Sequence, residues 1–448
     1  LTYAVKVPIH IDFEKEDGKE TKTLASTEGD AENQTCNENG VCQEKYHWTV
    51  GEGGHVHPVN GSKYQDLEGP SIAYGIMVYQ REGYEVDWVY KQFERLFWAL
   101  YHPQNFYAIH VDIKSDKELH QRISLLLKGL ENVKEIYSVS ISWAGITVVE
   151  RTLAQMQTAL ESNEDWQYFV NLGHEDYPLA TQNDMSRLLG EYAPGTNFIK
   201  CWPVEGHNFF GQWEHHEKRV EELTFDTFTG EAHDVHIRRE HMPTLGMKFY
   251  KSLQQTVLSR EFCEYSCYAL EARRILLYLA NSKAPDELFF PTALQTNADM
   301  AAKATCDDTR HFSHWIRPGG SWHPEYLQLM HLPLLLKSDK FFARKISHNE
   351  SLPLVTALNV LMEEGNGPEL LETVVGLMRE DKNLTRVLDS VKASVLGMGQ
   401  VLGLLDNHRQ SLDNVKIREF KEWWRQHRAT YMEERRKKEH LQRKIGRT

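Results

Sequence analysis

The stretch "NFYAIHVDIKS", residues 105–115, decides the fold. A short apolar run from Phe106 to Val111 is typical of a strand that is buried on both faces of a sheet. The run ends in Asp112, and Lys114 and Ser115 follow. A strand of this kind has no structural need for a carboxylate at its end, so Asp112 is a candidate functional residue.

Helices and strands alternate on both sides of this stretch. The strand patterns are "SIAYGIMVY" (71–79), "VKEIYSV" (133–139) and "WQYFVNL" (166–172). The helix patterns are "VDWVYKQFERLFWAL" (86–100), "KELHQRISLLLKGL" (117–130) and "TVVERTLAQMQTALES" (147–162). This order indicates βαβ units, and therefore an α/β fold with a Rossmann-like sheet flanked by helices.

In such a sheet, functional groups collect where the strands end and the loops begin. Asp112 lies at one such end, and Asp176 in "YFVNLGHED" lies at another, one βα unit later. The two carboxylates predict a ligand site on this rim. Capping of helix N-termini on the solvent side is the structural alternative.

The rest of the chain divides by composition. Residues 1–68 are polar and rich in glycine, which favours a flexible, stem-like segment before a catalytic domain at 69–350. Residues 185–250 crowd histidine and charge, and we interpret them as a polar loop in preference to a metal site. Residues 351–448 carry amphipathic helix patterns, and we expect a helical C-terminal appendage whose basic end is solvated.

Charge and hydropathy exclude some classes of function. The formal net charge is −13, which gives no support to a nucleic-acid role. No stretch of 18 apolar residues is present to span a bilayer, and the chain starts at Leu1, so we expect a fragment or a processed form. Cys36 and Cys42 could close a turn-rich loop, whereas free thiols are at least as plausible for the other four cysteines.

Two more carboxylates, Asp286 and Glu287, follow Pro285 in "APDELFFPTAL". Proline and acids in a first turn are a helix start signal, so both residues could simply complement a helix dipole.

Six segments then resemble a known family when they are taken together in their order. They are "AYGIMVY", "YHPQNFYAIHVDIKSD", "DWQYFVNLGHEDYPLATQNDM", "SREF", "APDELFFPTALQ" and "FFARKI". They look like the core-2/I-branching N-acetylglucosaminyltransferase and peptide O-xylosyltransferase family, glycosyltransferase family 14. The resemblance implies a GT-A-type fold and inverting transfer of a sugar from a UDP-sugar in the secretory pathway.

The resemblance also implies roles for residues on the donor side. Asp112 would accept hydrogen bonds from the uracil, an ionised carboxylate being a strong acceptor. Arg344 and Lys345 would hold the diphosphate as permanent cations in place of a metal. The remaining donor-side candidates, expected beside the nucleoside, are Val78, Tyr79, Lys114 and Trp143.

The base and the acceptor side come from the same resemblance. Glu287 would remove the proton of the acceptor hydroxyl, and partial burial beneath Phe289 and Phe290 is expected to raise its affinity for protons. Asp286 would act as a helix cap or as a positioning group. The weaker candidates on the sugar or acceptor side are Asp176, Glu214, Lys218, Arg219 and Arg310.

The expected partners are a UDP-sugar donor and a glycan or glycoprotein acceptor, with no cofactor and no metal. We expect a location in the Golgi or secretory-pathway lumen, with a membrane anchor that this chain does not contain. Three alternatives stay open. One is an inert relative that binds nucleotide sugars or glycans, and another is a metal-dependent glycosyltransferase of a different family that uses Glu175 and Asp176. The third is an interaction protein with an α/β scaffold, whose functional element is the long basic C-terminal helix. Sequence alone leaves the donor sugar open among N-acetylglucosamine, xylose and glucuronate.

Overall fold

The computed structural model describes most of the chain between residues 64 and 364. The described residues are 34–36, 42–44, 48–50, 56–58, 64, 66–162, 165–204, 219–220, 222–226, 232–239, 247–315, 323–336 and 338–364. The chain divides into two units, Leu1–Lys63 and Tyr64–Thr448.

The first unit contains four short strands: β1 (Gln34–Cys36), β2 (Cys42–Glu44), β3 (Trp48–Val50) and β4 (Val56–Pro58). β1 pairs with β2 and β3 pairs with β4, both antiparallel. The first pairing sets Cys36 opposite Cys42. The remainder of the segment predicted to be a flexible stem lies outside the described residues.

The second unit alternates strands and helices as the sequence predicts. Its strands are β5 (Ser71–Val78), β6 (Phe106–Val111), β7 (Val133–Glu135), β8 (Trp166–Gly173), β9 (Asp176–Pro178), β10 (Asn197–Lys200), β11 (Trp202–Pro203), β12 (Glu222–Asp226), β13 (Ala232–Arg238), β14 (Tyr250–Lys251), β15 (Val257–Ser259), β16 (Ala304–Cys306), β17 (His311–Ser313) and β18 (Phe342–Arg344). Its helices are α1 (Val86–Leu100), α2 (Lys117–Leu127), α3 (Thr147–Leu160), α4 (Gln182–Gly190), α5 (Arg260–Tyr268), α6 (Leu270–Leu279), α7 (Phe289–Thr296), α8 (Ala298–Ala301), α9 (Leu332–Leu336) and α10 (Leu352–Glu364), with 3-10 turns at Pro285–Glu287 and Leu329–His331.

A seven-stranded mixed sheet forms the centre, in the order β16-β10-β15-β8-β5-β6-β7. The neighbours β7, β6, β5 and β8 are parallel, and β15 runs antiparallel to both β8 and β10. The predicted α/β class with a mixed, helix-flanked sheet is therefore confirmed. A smaller sheet, β17-β18-β9, lies beside it.

Side chains of β5 alternate between the two faces of the central sheet, and helices cover both faces. Tyr74 and Ile76 pack with the buried face of α1 and α2 in one apolar cluster. Ala73 belongs to a second cluster on the other face, formed with residues of α3, α5 and α7. The continuous apolar run of β6 is thus explained, since its residues are buried on both sides.

The end of the described chain is part of the core. Leu354, Val355 and Leu358 of α10 are buried in a third cluster together with Tyr177 and Ala343. The predicted boundary at residue 350 therefore does not coincide with the edge of the core. The rest of the predicted helical appendage lies outside the described residues.

The sequence left open whether the last four cysteines are free thiols, and the structure pairs two of them. Cys201 and Cys306 form a disulfide that joins segments 105 residues apart, at the ends of β10 and β16. Cys263 and Cys267 are free thiols. None of the described helices has the length and the apolar character that crossing a bilayer requires.

Candidate active site

The strand order places a crevice between β5 and β8. β6 and β7 continue the sheet on one side of β5, whereas β8 lies on its other side, so the order reverses there. Ligands of open α/β sheets bind at such switch points, beyond the carboxyl ends of the strands. Tyr79 follows β5 and Glu175 follows β8, and the hydroxyl of Tyr79 donates to Oε2 of Glu175 over 2.9 Å.

Glu175 is the centre of a cationic cluster at this switch point. Its side chain is 2% exposed, and its Oε2 lies 2.9 Å from Arg81, 3.2 Å from Lys345 and 3.7 Å from Arg344. Tyr326 donates to Oε1 over 2.7 Å. Burial by itself raises the pKa of Glu175, but the surrounding cations, Arg344 foremost, outweigh it and hold the pKa well below its usual range.

Asp176 is the second carboxylate of the cluster. Its Oδ1 accepts from Arg344 over 3.1 Å and its Oδ2 from the backbone of Gly173 over 2.6 Å. A β-carbon on Gly173 would lie 3.2 Å from the Arg344 guanidinium, so the missing side chain gives the cation its room. The antiparallel pairing of β18 with β9 sets Arg344 directly opposite Asp176.

Lys345 carries a charge that can be titrated. Its side chain is 4% exposed. Burial lowers the pKa of Lys345 to about 8, although the nearby Glu175 opposes this shift. Lys345 is therefore still a cation at neutral pH, and it loses its charge as the pH rises through about 8.

Asp112 ends β6 as the sequence predicts. It is 4% exposed, its backbone N–H donates to Val78 over 2.8 Å, and its carboxylate accepts from Lys114 Nζ over 2.8 Å. The backbone N–H groups of Lys114 and Ile141 also donate to it. Three of about four lone-pair positions of the carboxylate are thus occupied, which leaves one for a ligand.

Trp143 and His323 form an aromatic pair near the end of β6. Trp143 is 64% exposed, and its ring meets the ring of His323 at 5.4 Å. Burial and then the charges of Lys345, Arg81 and Arg344 lower the pKa of His323. Ile141, two residues before Trp143, donates its backbone N–H to Asp112 over 3.2 Å, so the exposed indole belongs to the segment that contacts Asp112.

Glu287 belongs to a turn that is hydrogen-bonded to the segment of Trp143. The residue after Trp143, Ala144, accepts through its carbonyl from the backbone N–H of Ala284 over 2.8 Å. Ala284 begins the 3-10 turn Pro285–Glu287, and Glu287 ends it. Backbone hydrogen bonds thus connect the turn that carries Glu287 to the segment that carries Trp143.

Two cations hold the Glu287 carboxylate. Arg219 Nη1 contacts Oε2, and Lys251 Nζ lies 3.2 Å from the same atom. Burial raises the pKa of Glu287, but the charges of Lys251 and Arg219 outweigh it and lower the pKa. The expectation that partial burial would raise its proton affinity is therefore wrong for the unliganded site.

Asp286 carries the shift that was expected of Glu287. Burial and the charge of Glu287 raise the pKa of Asp286 to about 7. Its Oδ1 is enclosed and has no hydrogen-bond partner among the described residues. The helix-start signal is also present: Pro285 begins a 3-10 turn that has both carboxylates in its first turn, and this turn leads into α7 at Phe289.

A family model named Core-2/I-Branching enzyme matches residues 72–332. The chain belongs to this family. The match contains Asp112, Trp143 and Glu287, whereas Arg344 and Lys345 lie just beyond its end.

Three relatives illustrate the range of the Core-2/I-Branching family. The Arabidopsis thaliana beta-glucuronosyltransferase GlcAT14A is 30% identical over 58% of this chain and 59% of its own length. Human xylosyltransferase 2 is 27% identical over 57% of this chain and 28% of its own. A rat beta-1,3-galactosyl-O-glycosyl-glycoprotein beta-1,6-N-acetylglucosaminyltransferase 3 is 25% identical over 49% and 46%. The chain thus spans well under two thirds of the length of these relatives.

The remaining sequence-based candidates are not found among the described residues of the cationic cluster. Arg310 is buried, pairs with Asp308 and Asp339, and lies over the ring of Phe198, so its charge is used within the fold. Glu214 and Lys218 lie outside the described residues. Sequence reasoning missed four residues of the site: Arg81, Lys251, His323 and Tyr326. Only Arg81, two residues after Tyr79, had a local signal.

Proposed function

We propose that the chain is an inverting glycosyltransferase that needs no metal and moves a sugar from a UDP-sugar to a hydroxyl of a glycan or protein. The observation that carries this proposal is the cationic cluster at the sheet's switch point. Arg81, Arg344 and Lys345 face two carboxylates, Glu175 and Asp176, which leaves one positive charge in excess. A buried excess of positive charge favours an anion such as a diphosphate.

In this proposal the cluster binds the diphosphate and stabilises the leaving group. When the bond between C1 and the UDP oxygen breaks, its electron pair stays on UDP, and fixed cations oppose the growing charge. The guanidinium of Arg344 supplies a planar fork and Lys345 a compact charge. Glu175 keeps these cations in place until a diphosphate arrives, because it contacts all of them through one oxygen.

The uridine end of the donor would bind at Asp112 and Trp143. The lone-pair position left on Asp112 suits the N–H of a uracil ring. The exposed indole of Trp143 offers an apolar face for a ring to stack on.

Glu287 is the base in the proposed reaction. The acceptor oxygen forms a bond to C1 as the UDP oxygen leaves, and the acceptor proton passes to Glu287. One displacement of this kind inverts the configuration at C1. Arg219 and Lys251 hold the carboxylate without a ligand, so an acceptor that takes over one of these contacts would restore its proton affinity.

Two features support a reaction without a metal at the diphosphate. The sequence has no pair of Asp residues separated by one residue, the motif with which many GT-A enzymes bind a metal. Glu175 and Asp176, the ligands of the metal-dependent alternative, are already paired with cations. The inert alternative is disfavoured because Glu287 and the pair Arg344–Lys345 are both present at the site.

A location in the lumen of the secretory pathway fits this proposal. The disulfide between Cys201 and Cys306 is of a kind that persists in oxidising compartments.

The test is a UDP-release assay with UDP-xylose, UDP-N-acetylglucosamine, UDP-glucuronate and UDP-galactose, in buffer that contains EDTA. We expect release with one of the first three donors, and a glycoside product of inverted configuration by NMR. No release with any donor, under conditions in which UDP binds, would support the inert alternative. Release that occurs only when Mn²⁺ or Mg²⁺ replaces EDTA would support the metal-dependent one.

A further inference from the structure

Three metal-ligating side chains meet outside the site described above. His314, Glu325 and His331 each offer one atom, and these atoms lie within 4.8 Å of one another. Nδ1 of His314 contacts Oε1 of Glu325, and Nε2 of His331 lies 3.4 Å from the same oxygen. Among the residues that the structure describes, no other group of three histidine, cysteine or acidic side chains converges in this way.

We propose that His314, Glu325 and His331 form a binding site for Zn²⁺. Two imidazoles and one carboxylate are a ligand set that zinc uses in proteins. Bonds of about 2.0–2.1 Å put two ligand atoms of a tetrahedron about 3.3–3.4 Å apart, which matches the Glu325–His331 separation. Nδ1 of His314 and Oε1 of Glu325 are in direct contact, so these two atoms would separate as the ion replaces their hydrogen bond. The fourth position is left for water.

The surroundings of His331 suit a ligand role. Its Nδ1 lies 3.2 Å from the carbonyl oxygen of Gln328, which can accept a hydrogen bond from Nδ1–H. Zinc-bound imidazoles commonly donate their second N–H in this way, which frees the other nitrogen for the ion. In the absence of metal, the backbone N–H of Gln328 can instead donate to Nδ1 over 2.9 Å. His331 therefore has a partner for either tautomer.

The ligands also belong to well-supported backbone. His314 directly follows β17, and the backbone N–H of Glu325 donates to the carbonyl of His314 over 3.0 Å. His331 ends a 3-10 turn and is 2% exposed. A site on such elements is positioned before the ion binds, which lowers the cost of binding.

The proposed ion would affect the donor site through the segment that follows Glu325. Glu325 precedes Tyr326, whose hydroxyl donates to Glu175 over 2.7 Å, and the next backbone N–H, of Leu327, donates to Lys345 over 2.7 Å. The ion would therefore fix the segment that holds two members of the cationic cluster. Its role is structural, and it takes no part in the proposed transfer step.

The experiment is a calorimetric titration of the whole chain with ZnCl₂ after chelator treatment, for wild type, Glu325→Gln and His331→Gln. His348→Gln is the control for the loss of a histidine, because His348 is half-buried and lies outside the cluster. We expect wild type and the control to bind one equivalent of Zn²⁺ tightly. Both cluster variants should lose this tight binding, and their Kd for Zn²⁺ should be at least tenfold higher. Saturating Zn²⁺ should raise the Tm of wild type and of the control only.

Two results would overturn the inference. One is a wild-type protein that binds no tight equivalent and shows no rise in Tm. The other is a cluster variant that retains the equivalent at unchanged affinity. Circular dichroism of each variant in EDTA checks folding, and the wild-type titration decides even if a variant does not fold.

The outcome is separable from that of the proposed function. If EDTA reduces turnover of wild type because the structural ion is lost, Glu325→Gln should show the same reduction, and EDTA should reduce it no further. A further loss in the variant would instead point to a metal at the diphosphate.

Discussion

Glu175→Gln tests whether the cationic cluster is built for an anion. The substitution keeps the size of the side chain and removes its charge. Arg344 then retains Asp176 as an acidic partner, whereas Arg81 and Lys345 lose the carboxylate with which they pair in the described cluster. The unliganded protein should lose stability, and the affinity for UDP should rise, because the nucleotide no longer competes with Glu175 for the cations.

Both magnitudes follow from the burial of Glu175. Breaking a buried ion pair by removing one partner costs about 3–5 kcal/mol. At about 2–4 °C per kcal/mol for a large domain, the Tm should fall by roughly 6–20 °C. Removing a negative charge about 6 Å from a bound phosphate, at an effective dielectric constant of about 20, is worth at most about 2.8 kcal/mol. UDP should therefore bind about 10-fold to 100-fold more tightly.

The assay is differential scanning calorimetry of wild type and variant with increasing UDP. The Tm of the variant should start lower and rise more steeply with UDP than that of wild type. Asp339→Asn is the control, because this carboxylate also pairs with cations but its side chain is 69% exposed. The substitution should lower the free energy of unfolding by less than about 1 kcal/mol and leave UDP binding unchanged. A variant that UDP stabilises less than wild type would refute the reasoning, since Glu175 would then not compete with UDP for the cations.

Three further outcomes are expected. Because deprotonation of Lys345 removes a cation, the affinity for UDP should fall as the pH rises above about 8, and Lys345→Met should bind weakly with no such dependence in a calorimetric pH series. Lys251→Met removes a charge that lowers the pKa of Glu287, so the acidic limb of the kcat/KM profile should move to higher pH; an unmoved limb would exclude Glu287 as the group observed. Replacing Cys201 and Cys306 by Ser opens a loop of 105 residues and should cost about 2–5 kcal/mol in urea unfolding, whereas Cys263→Ser, at a free thiol, should spare that contribution.

Periodicity was sufficient to predict the central sheet and its helices. The run from Phe106 to Val111 and the helix from Val86 to Leu100 were predicted because burial on a sheet face imposes a visible pattern on local sequence. Asp112 was found for the same reason, as a polar residue that ends an apolar strand. The strand predicted from "VKEIYSV" is too long, since only Val133–Glu135 pairs with β6. Of these three residues, Val133 alone is buried.

The partners of the site residues left no local signal. Lys251 meets Glu287 from 36 positions away, and Tyr326 meets Glu175 from 151 positions away, so only tertiary structure brings them together. The pKa of Glu287 was predicted in the wrong direction for this reason. Its apolar neighbours Phe289 and Phe290 are visible in sequence, whereas the opposing cations are not.

The most direct test of the proposed mechanism is a paired measurement on Glu287→Gln: turnover of the donor that the UDP-release assay identifies, and the Kd for UDP. Loss of a positioned base costs about 10²–10⁴ in rate, so kcat should fall by that factor while the Kd for UDP changes less than about threefold. A variant that turns over at close to the wild-type rate would contradict the assignment of Glu287 as the base.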